Sequence, residues 1–460
     1  VSPVSKQRTN WLIRKAETGR QWEGAAALLA DVFACVAGGV LVWAAAVVGH
    51  RLRTAGVNID LDFPPLFASW APHVGPGTIP AILIAAAIVV YGPAVARRWR
   101  WAPLLMAAYA ASLTWTVSLT LIDGWEHGVL DKLTSDDEYL HDIPRVGDIP
   151  AMLREFSRHI LDFQPGAWTT HVAGHPPGAF LIFIGMQRIG LGGGVWAAVL
   201  CVLVGASACT AVAMTLRVVG GEELARRVLP FATLMPAAVW IGVSADGLFA
   251  GVLAWGVALL AIGAATSGLR GDITAVAGGL MLGFTLYLSY GLAVAGPLAV
   301  AVIAVTPRAR TAVVGALGAL AVVATFTASG FSWWEGYELL KIRYEQGIAA
   351  TRPYSYFAWA NLAALVLVLG PAALAGMRRF VTAPASLATG ARYLTLAAAT
   401  GIVVADLSGM SKGEVERIWL PLAMWLVLPC RLLPSRQLKG WLLSEAVLAL
   451  LINHLLRTRW

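Results

Sequence analysis

Three consecutive acids, Asp136, Asp137 and Glu138, open a polar stretch that closes on His171 and His175, with Pro176-Pro177-Gly178 directly after. A carboxylate of this kind can act as a general base toward a hydroxyl. Histidines spaced like His171 and His175 could share a helical metal face, but the residue before a proline avoids the α conformation. His175 is therefore expected at the start of the next helix, where amide donors and the helix dipole favour an anion. The other candidates are scattered. Asp246 stands in Ser244-Ala245-Asp246-Gly247, Tyr290 stands in Tyr290-Gly291, and residues 330–354 hold Trp333, Trp334, Lys341, Arg343, Tyr344 and Arg352. Lys412 and Arg417 flank Glu414 and Glu416, and those two acids supply local counter-charge. Arginine and lysine hold phosphate, aromatic rings stack on sugars, and a carboxylate takes a proton. Together these residue types suit a sugar linked to a lipid phosphate. Each also has a plainer reading. The acids could cap a solvated loop, Asp246 could cap a helix, and the tryptophans could form an interfacial belt.

The elements that must carry these residues are apolar. The chain has 460 residues, 58% hydrophobic and 13% charged, with a mean hydropathy of +0.70. A soluble domain carries about 25% charged residues, so the composition is that of an integral membrane protein. The formal charge of +8 comes from arginines in short loops between apolar runs. That pattern marks cytoplasmic loops and removes the need for a nucleic-acid partner. Cys35, Cys201, Cys209 and Cys430 all lie in apolar stretches, with no zinc spacing and no disulfide framework. The first apolar run, Gly24 to Val48, is longer than the core of a cleavable signal.

Apolar runs of about 20 residues predict 13 transmembrane helices in an all-α polytopic fold: 25–48, 78–96, 103–122, 193–217, 226–243, 247–266, 273–289, 292–305, 311–329, 355–375, 393–407, 418–430 and 441–456. The segment Pro177 to Ile189 is short for a span. It reads as a juxtamembrane helix on the outer surface, with a short span as the alternative. This path places Arg98, Arg227, Arg308 and Arg379 inside, and loops 123–192, 330–354 and 408–417 outside. Arg457 and Arg459 then fall on the side that the arginine rule disfavours.

Asp137-Glu138, together with His175-Pro176-Pro177-Gly178-Ala179-Phe180-Leu181, resembles the GT-C superfamily of integral membrane glycosyltransferases. The nearest branch is that of the protein O-mannosyltransferases and aminoarabinose transferases. Gln187-Arg188-Ile189-Gly190 and the Asp246 turn add weaker matches, and 411–420 looks like a stretch of uncharacterised actinobacterial-type members. The resemblance covers about 103–305 and implies that this is a catalytic module; around it the charge and hydropathy pattern sets a basic cytoplasmic tail 1–24, two additional N-terminal spans in 25–102 and C-terminal spans 306–460. It implies sugar transfer from a polyprenyl-phosphate donor to an acceptor hydroxyl on a cell-envelope glycan, lipid or protein. The site would lie at the extracytoplasmic face of the plasma membrane. Asp137 would be the base, or Asp136 if the register slips by one. Glu138, His171, His175, Asp246, Tyr290, Arg343, Lys412 and Arg417 would bind substrate, and a divalent metal is left open. Two features depart from the branch. Leu288-Ser289-Tyr290-Gly291 stands where a lysine is usual, and two spans precede the one that feeds the acidic loop, where one is usual. The competing readings are a transporter or lipid-carrier flippase, which would carry charges in broken mid-membrane helices, and a non-catalytic subunit of an envelope complex.

Overall fold

The computed structural model describes residues 3–306 and 308–459, with side chains from residue 24 onward. The side chains of the basic tail therefore lie outside the described residues. In order, the chain forms α1 (Pro3–Thr54), β1 (Ala68–Trp70), α2 (Thr78–Arg98), α3 (Trp101–Thr120), α4 (Tyr139–Asp142), α5 (Ile149–Glu155), α6 (Thr170–Gly174), α7 (Pro177–Arg188), α8 (Gly194–Gly220), α9 (Glu222–Leu234) and α10 (Ala238–Ile241). It continues through α11 (Ala245–Ala265), α12 (Gly268–Leu288), α13 (Gly296–Val305), α14 (Ala309–Ala328), α15 (Trp333–Gln346), α16 (Tyr354–Thr382), α17 (Thr389–Leu407), α18 (Val415–Ile418), α19 (Leu420–Ala423), α20 (Leu438–Leu455) and β2 (Leu456–Thr458). Helices dominate because a backbone in hydrocarbon must satisfy its own polar groups.

Ten helices among the described residues are long and apolar enough to cross a membrane. The sequence anticipates 13 crossings, and the three beyond these ten fall on interrupted segments. Residues 222–244 form α9, a turn and α10. Arg226 Nη1 donates to the carbonyl of Ala96 at 2.6 Å, at the end of α2. At the far end, a Cβ on Gly242 would lie 2.3 Å from Thr120 Oγ1, where α3 finishes. This broken pair therefore runs the whole length of α3. Residues 290–305 and 420–432 do the same between the two ends of the bundle. Tyr290 meets Trp333 edge-on at 5.2 Å, and Arg308 donates to the Thr266 carbonyl at 3.1 Å. Arg417 pairs with Asp246, and Arg379 reaches the Leu432 carbonyl at 3.5 Å. Interior prolines account for part of this: Pro230 sits inside α9, and it removes a helical hydrogen bond.

The helices pack through small residues, as membrane helices do when lipid leaves no hydrophobic drive between them. A Cβ on Gly279 of α12 would lie 1.9 Å from the Gly315 carbonyl oxygen of α14, so only glycine permits that approach. On the periphery, Leu29, Phe33 and Trp43 of α1 and Val313, Leu317 and Leu320 of α14 are exposed. Such faces fit hydrocarbon and do not fit water.

The α7 helix begins beside His175 and ends where Arg188 donates to the Gly147 carbonyl at 2.8 Å. Both of its ends stay with the loop 123–192, so it does not cross. That loop is folded. Asp142 accepts from Arg145 at 2.6 Å and from the Thr169 amide at 2.8 Å. Trp168 Nε1 donates to the Phe156 carbonyl at 3.0 Å. The last described residues return to the same end: β2 pairs antiparallel with β1, Ala68 opposite Thr458. Arg457 and Arg459, which stand away from the usual arginine side, are held there by backbone pairing and by ion pairing.

Candidate functional site

At this end of the bundle two arrangements of charge lie side by side, one enclosed and one open. The enclosed one centres on Arg417 in α18. Its Nη1 donates to Asp246 Oδ2 at 2.6 Å, and its Nη2 to Glu414 Oε2 at 2.9 Å. Nη2 also lies 3.1 Å from His171 Nε2, and His171 Nδ1 lies 3.0 Å from Glu138 Oε1. A guanidinium only donates. Nε2 of His171 is thus the acceptor, and its Nδ1 proton faces the Glu138 carboxylate. Asp246 sits in the first turn of α11, which Ser244 caps by accepting the Gly247 amide at 3.0 Å. The helix N-terminus adds to the stabilisation of that carboxylate. Tyr139, His175 and Lys132 complete the enclosure. Burial lowers Lys132 to about 8 despite Asp123 nearby, and it raises the Tyr139 phenol well above its usual value.

The open arrangement is a cavity of about 450 Å³ whose lining includes Asp137, His171, His175, Arg343, Lys412 and Arg417. Asp137 stands in its wall with the side chain 48% exposed. Thr170 Oγ1 donates to its Oδ1 at 3.0 Å, and Arg459 Nη2 to its Oδ2 at 3.3 Å. The His171 amide donates to its backbone carbonyl at 3.0 Å. The start of α6 thus holds Asp137 and His171 in one register. His175 Nδ1 donates to the His171 carbonyl at 2.8 Å. Burial lowers His175 to about 4, although Asp246 pulls the other way, so it is neutral at ordinary pH.

The cations of the cavity differ in how fully they are paired. Arg343 is ion-paired to Asp162. Arg352 is buried and bridges the carbonyls of Ile59 and Lys412 to the carboxylates of Glu414 and Asp60. Burial alone would raise Glu414, but Arg417 and Arg352 together hold it down at about 2. Lys412 Nζ donates to the Ala349 carbonyl at 3.0 Å, and its nearest carboxylate, Glu345, is 3.7 Å away. An ammonium has three donors, so Lys412 keeps capacity for a ligand.

Two sequence candidates lie elsewhere. Asp136 points away, with a side chain 98% exposed and its nearest partner His141 at 3.5 Å. Tyr290 is buried among Trp333 and Tyr337 and lines neither arrangement. The hairpin tip where it stands packs under α15 instead of facing the cavity. Glu416 does not serve as counter-charge to Arg417. Its Oε1 accepts the Phe67 amide at 2.9 Å, and burial raises it to about 7. Sequence reasoning does not single out Lys132, Thr170 or Arg459 as site residues. Lys132 and Arg459 carry a signal, being basic residues on the side the arginine rule disfavours. Among the described residues no three His, Cys, Asp or Glu side chains converge as metal ligands. Glu138, Asp246 and Glu414 each face a histidine or arginine. The donor set does not fit a divalent ion.

Two solved structures of ArnT from Cupriavidus metallidurans are similar to this chain. One, bound to undecaprenyl phosphate, is 16% identical with a TM-score of 0.48, over 75% of this chain and 63% of that one. The other, in the apo state, is 18% identical with a TM-score of 0.44, over 73% and 60%. The chain thus spans less than two thirds of the ArnT length. No family model matches the chain, and no curated protein matches it.

Proposed function

We propose that this chain is a membrane glycosyltransferase of the GT-C type, moving a sugar from a polyprenyl-phosphate donor to a hydroxyl of a cell-envelope acceptor. The observation that carries this reading is the open cavity, in which an accessible carboxylate, Asp137, shares one space with Lys412, Arg343 and Arg417. The Asp-Glu and His-Pro-Pro stretches named above supply the family resemblance, and both border this cavity. The arginine-rich end is then cytoplasmic, and the cavity opens on the extracytoplasmic side of the plasma membrane.

In this mechanism Asp137 takes the proton of the acceptor hydroxyl. The freed oxygen attacks the anomeric carbon of the donor sugar, and the bond from that carbon to the phosphate oxygen breaks. The electron pair leaves on the polyprenyl phosphate, where Lys412 stabilises the developing charge. Arg417 is bound to Asp246 and Glu414 and holds the wall of the cavity. Neutral His175, whose Nδ1 donates to the His171 carbonyl, is suited to hydrogen bonding with the acceptor or the sugar. The test is transfer from a polyprenyl-phosphate sugar by purified Asp137→Asn protein. Wild-type rates in that variant would remove the assignment of the base.

One observation favours the carrier reading. Glu445 is buried in α20, and its Oε1 accepts the Ala372 amide at 2.6 Å where α16 breaks at Gly370, φ 79°. A carboxylate against a broken helix is a feature of transporters. Lipid-carrier translocation in reconstituted vesicles that Glu445→Gln abolishes, with no sugar transfer detectable, would favour that reading.

A further inference from the structure

At the opposite, arginine-rich end, α2, α9 and α20 pack on one another. The first two approach closely at Gly92, where an added Cβ would sit 3.8 Å from Pro230 Cβ. Beside this crossing is a cleft of about 360 Å³. Its floor is apolar, formed by Pro93, Phe231, Leu438 and Leu442, and its rim carries Arg97 and Arg227. We propose that this cleft binds an anionic phospholipid, its headgroup phosphate between Arg97 and Arg227 and an acyl chain along the floor.

The charges of the rim are unequal. Glu222 is neutralised by Arg226 at 2.6 Å and by Arg217 at 2.9 Å. Glu223, on the exposed side, pairs with Arg431 at 3.0 Å. Arg97 is exposed and pairs with no carboxylate among the described residues. Arg227 gives its Nη groups to the Leu433 carbonyl and the Ser435 hydroxyl, which orient it without cancelling its charge. The site is therefore complementary to an anion. An inorganic anion would satisfy the rim and leave the floor without a partner. Burying apolar surface is favourable roughly in proportion to its area, so an amphiphile uses both. Basic pockets between membrane helices bind phospholipid headgroups by the same logic.

The test uses the full purified chain and native mass spectrometry after exchange with phosphatidylglycerol or phosphatidylcholine. Arg97→Gln and Arg98→Gln are compared, because Arg98 is an exposed neighbour that does not line the cleft. The wild type is expected to retain phosphatidylglycerol selectively. Arg97→Gln is expected to bind it about fivefold more weakly, with Arg98→Gln unchanged. Equal retention of the two lipids would overturn the proposal. So would an equal loss in both variants, which would mean a diffuse surface effect. Displacement of the lipid by millimolar inorganic phosphate would assign the site to a free anion instead. None of these readouts depends on sugar transfer.

Discussion

Asp246 and Asp137 are carboxylates at the same end of the bundle, yet the fold treats them in opposite ways. Asp246 is enclosed, paired at 2.6 Å with a buried arginine, and stabilised by a helix N-terminus. Asp137 is half exposed and held by a hydroxyl and by a partly exposed arginine at 3.3 Å. A charge paired as tightly as that of Asp246 has little left for a substrate. Its value lies in fixing Arg417, and through Arg417 the position of His171. A charge held as loosely as that of Asp137 can exchange partners, which a base must do. Enclosure builds the wall of this cavity, and exposure leaves the proposed base free to exchange partners.

The comparison can be broken at either member. The largest expected effect is on catalysis. Asp137→Asn should slow sugar transfer by about 10²–10⁴-fold, the usual range for general-base help, with the melting temperature nearly unchanged. Asp136→Asn serves as the control. Its side chain is solvated, and surface substitutions stay within about 0.5 kcal/mol, so both rate and stability should match the wild type. A rate loss in Asp136→Asn and none in Asp137→Asn would transfer the role to the neighbour.

Arg417→Met should act on the enclosed member. It strands Asp246 and Glu414 without their cation, and breaking a buried pair costs about 3–5 kcal/mol. Thermal unfolding in detergent should shift down strongly, and Asp246→Asn in the same background should recover part of the loss. An unchanged melting temperature would mean that the network is not structural.

Lys412→Gln should be milder and should fall on donor use. A hydrogen bond to a charged group contributes about 1.5–3 kcal/mol. The expected rise in KM for the polyprenyl-phosphate sugar is therefore roughly 10–100-fold, with folding intact. A loss confined to acceptor KM would place the donor phosphate elsewhere.

The smallest effect concerns pH. Burial raises Glu416 to about 7 from the ordinary value of 4.5. Between those values the native state holds a proton that the unfolded chain releases. Its contribution is complete below pH 4.5 and is lost as pH rises toward 7. Glu416→Gln cannot ionise. The melting temperature of the variant should therefore gain on the wild type across that window and level off above it. A constant difference between the two proteins across and beyond that window would show that Glu416 does not titrate from a buried site.

Much of the fold was legible because membrane proteins write it in hydropathy. Ten long helices match the apolar runs, and α7 stays on one side because its apolar part is too short to cross. The three interrupted crossings were legible as apolar segments but not as broken ones. Their breaks depend on Pro230 and on the packing of neighbouring helices. In the site, the Asp-Glu and His-Pro-Pro stretches stood out as polarity within an apolar chain. Partnership did not. Arg417 lies 171 residues from Asp246 and 246 from His171, and no periodicity links residues so far apart. Likewise, Asp136 and Asp137 are chemically equal in sequence. Only the register set by the His171 amide on the Asp137 carbonyl turns one toward the cavity and leaves the other in solvent. The sequence determined which segments enter the bilayer and which end of the bundle carries the polar loops, because transfer free energy is summed locally along the chain. The tertiary structure alone decided which charges are enclosed and which stay available, because that depends on contacts between loops that meet only after the helices have packed.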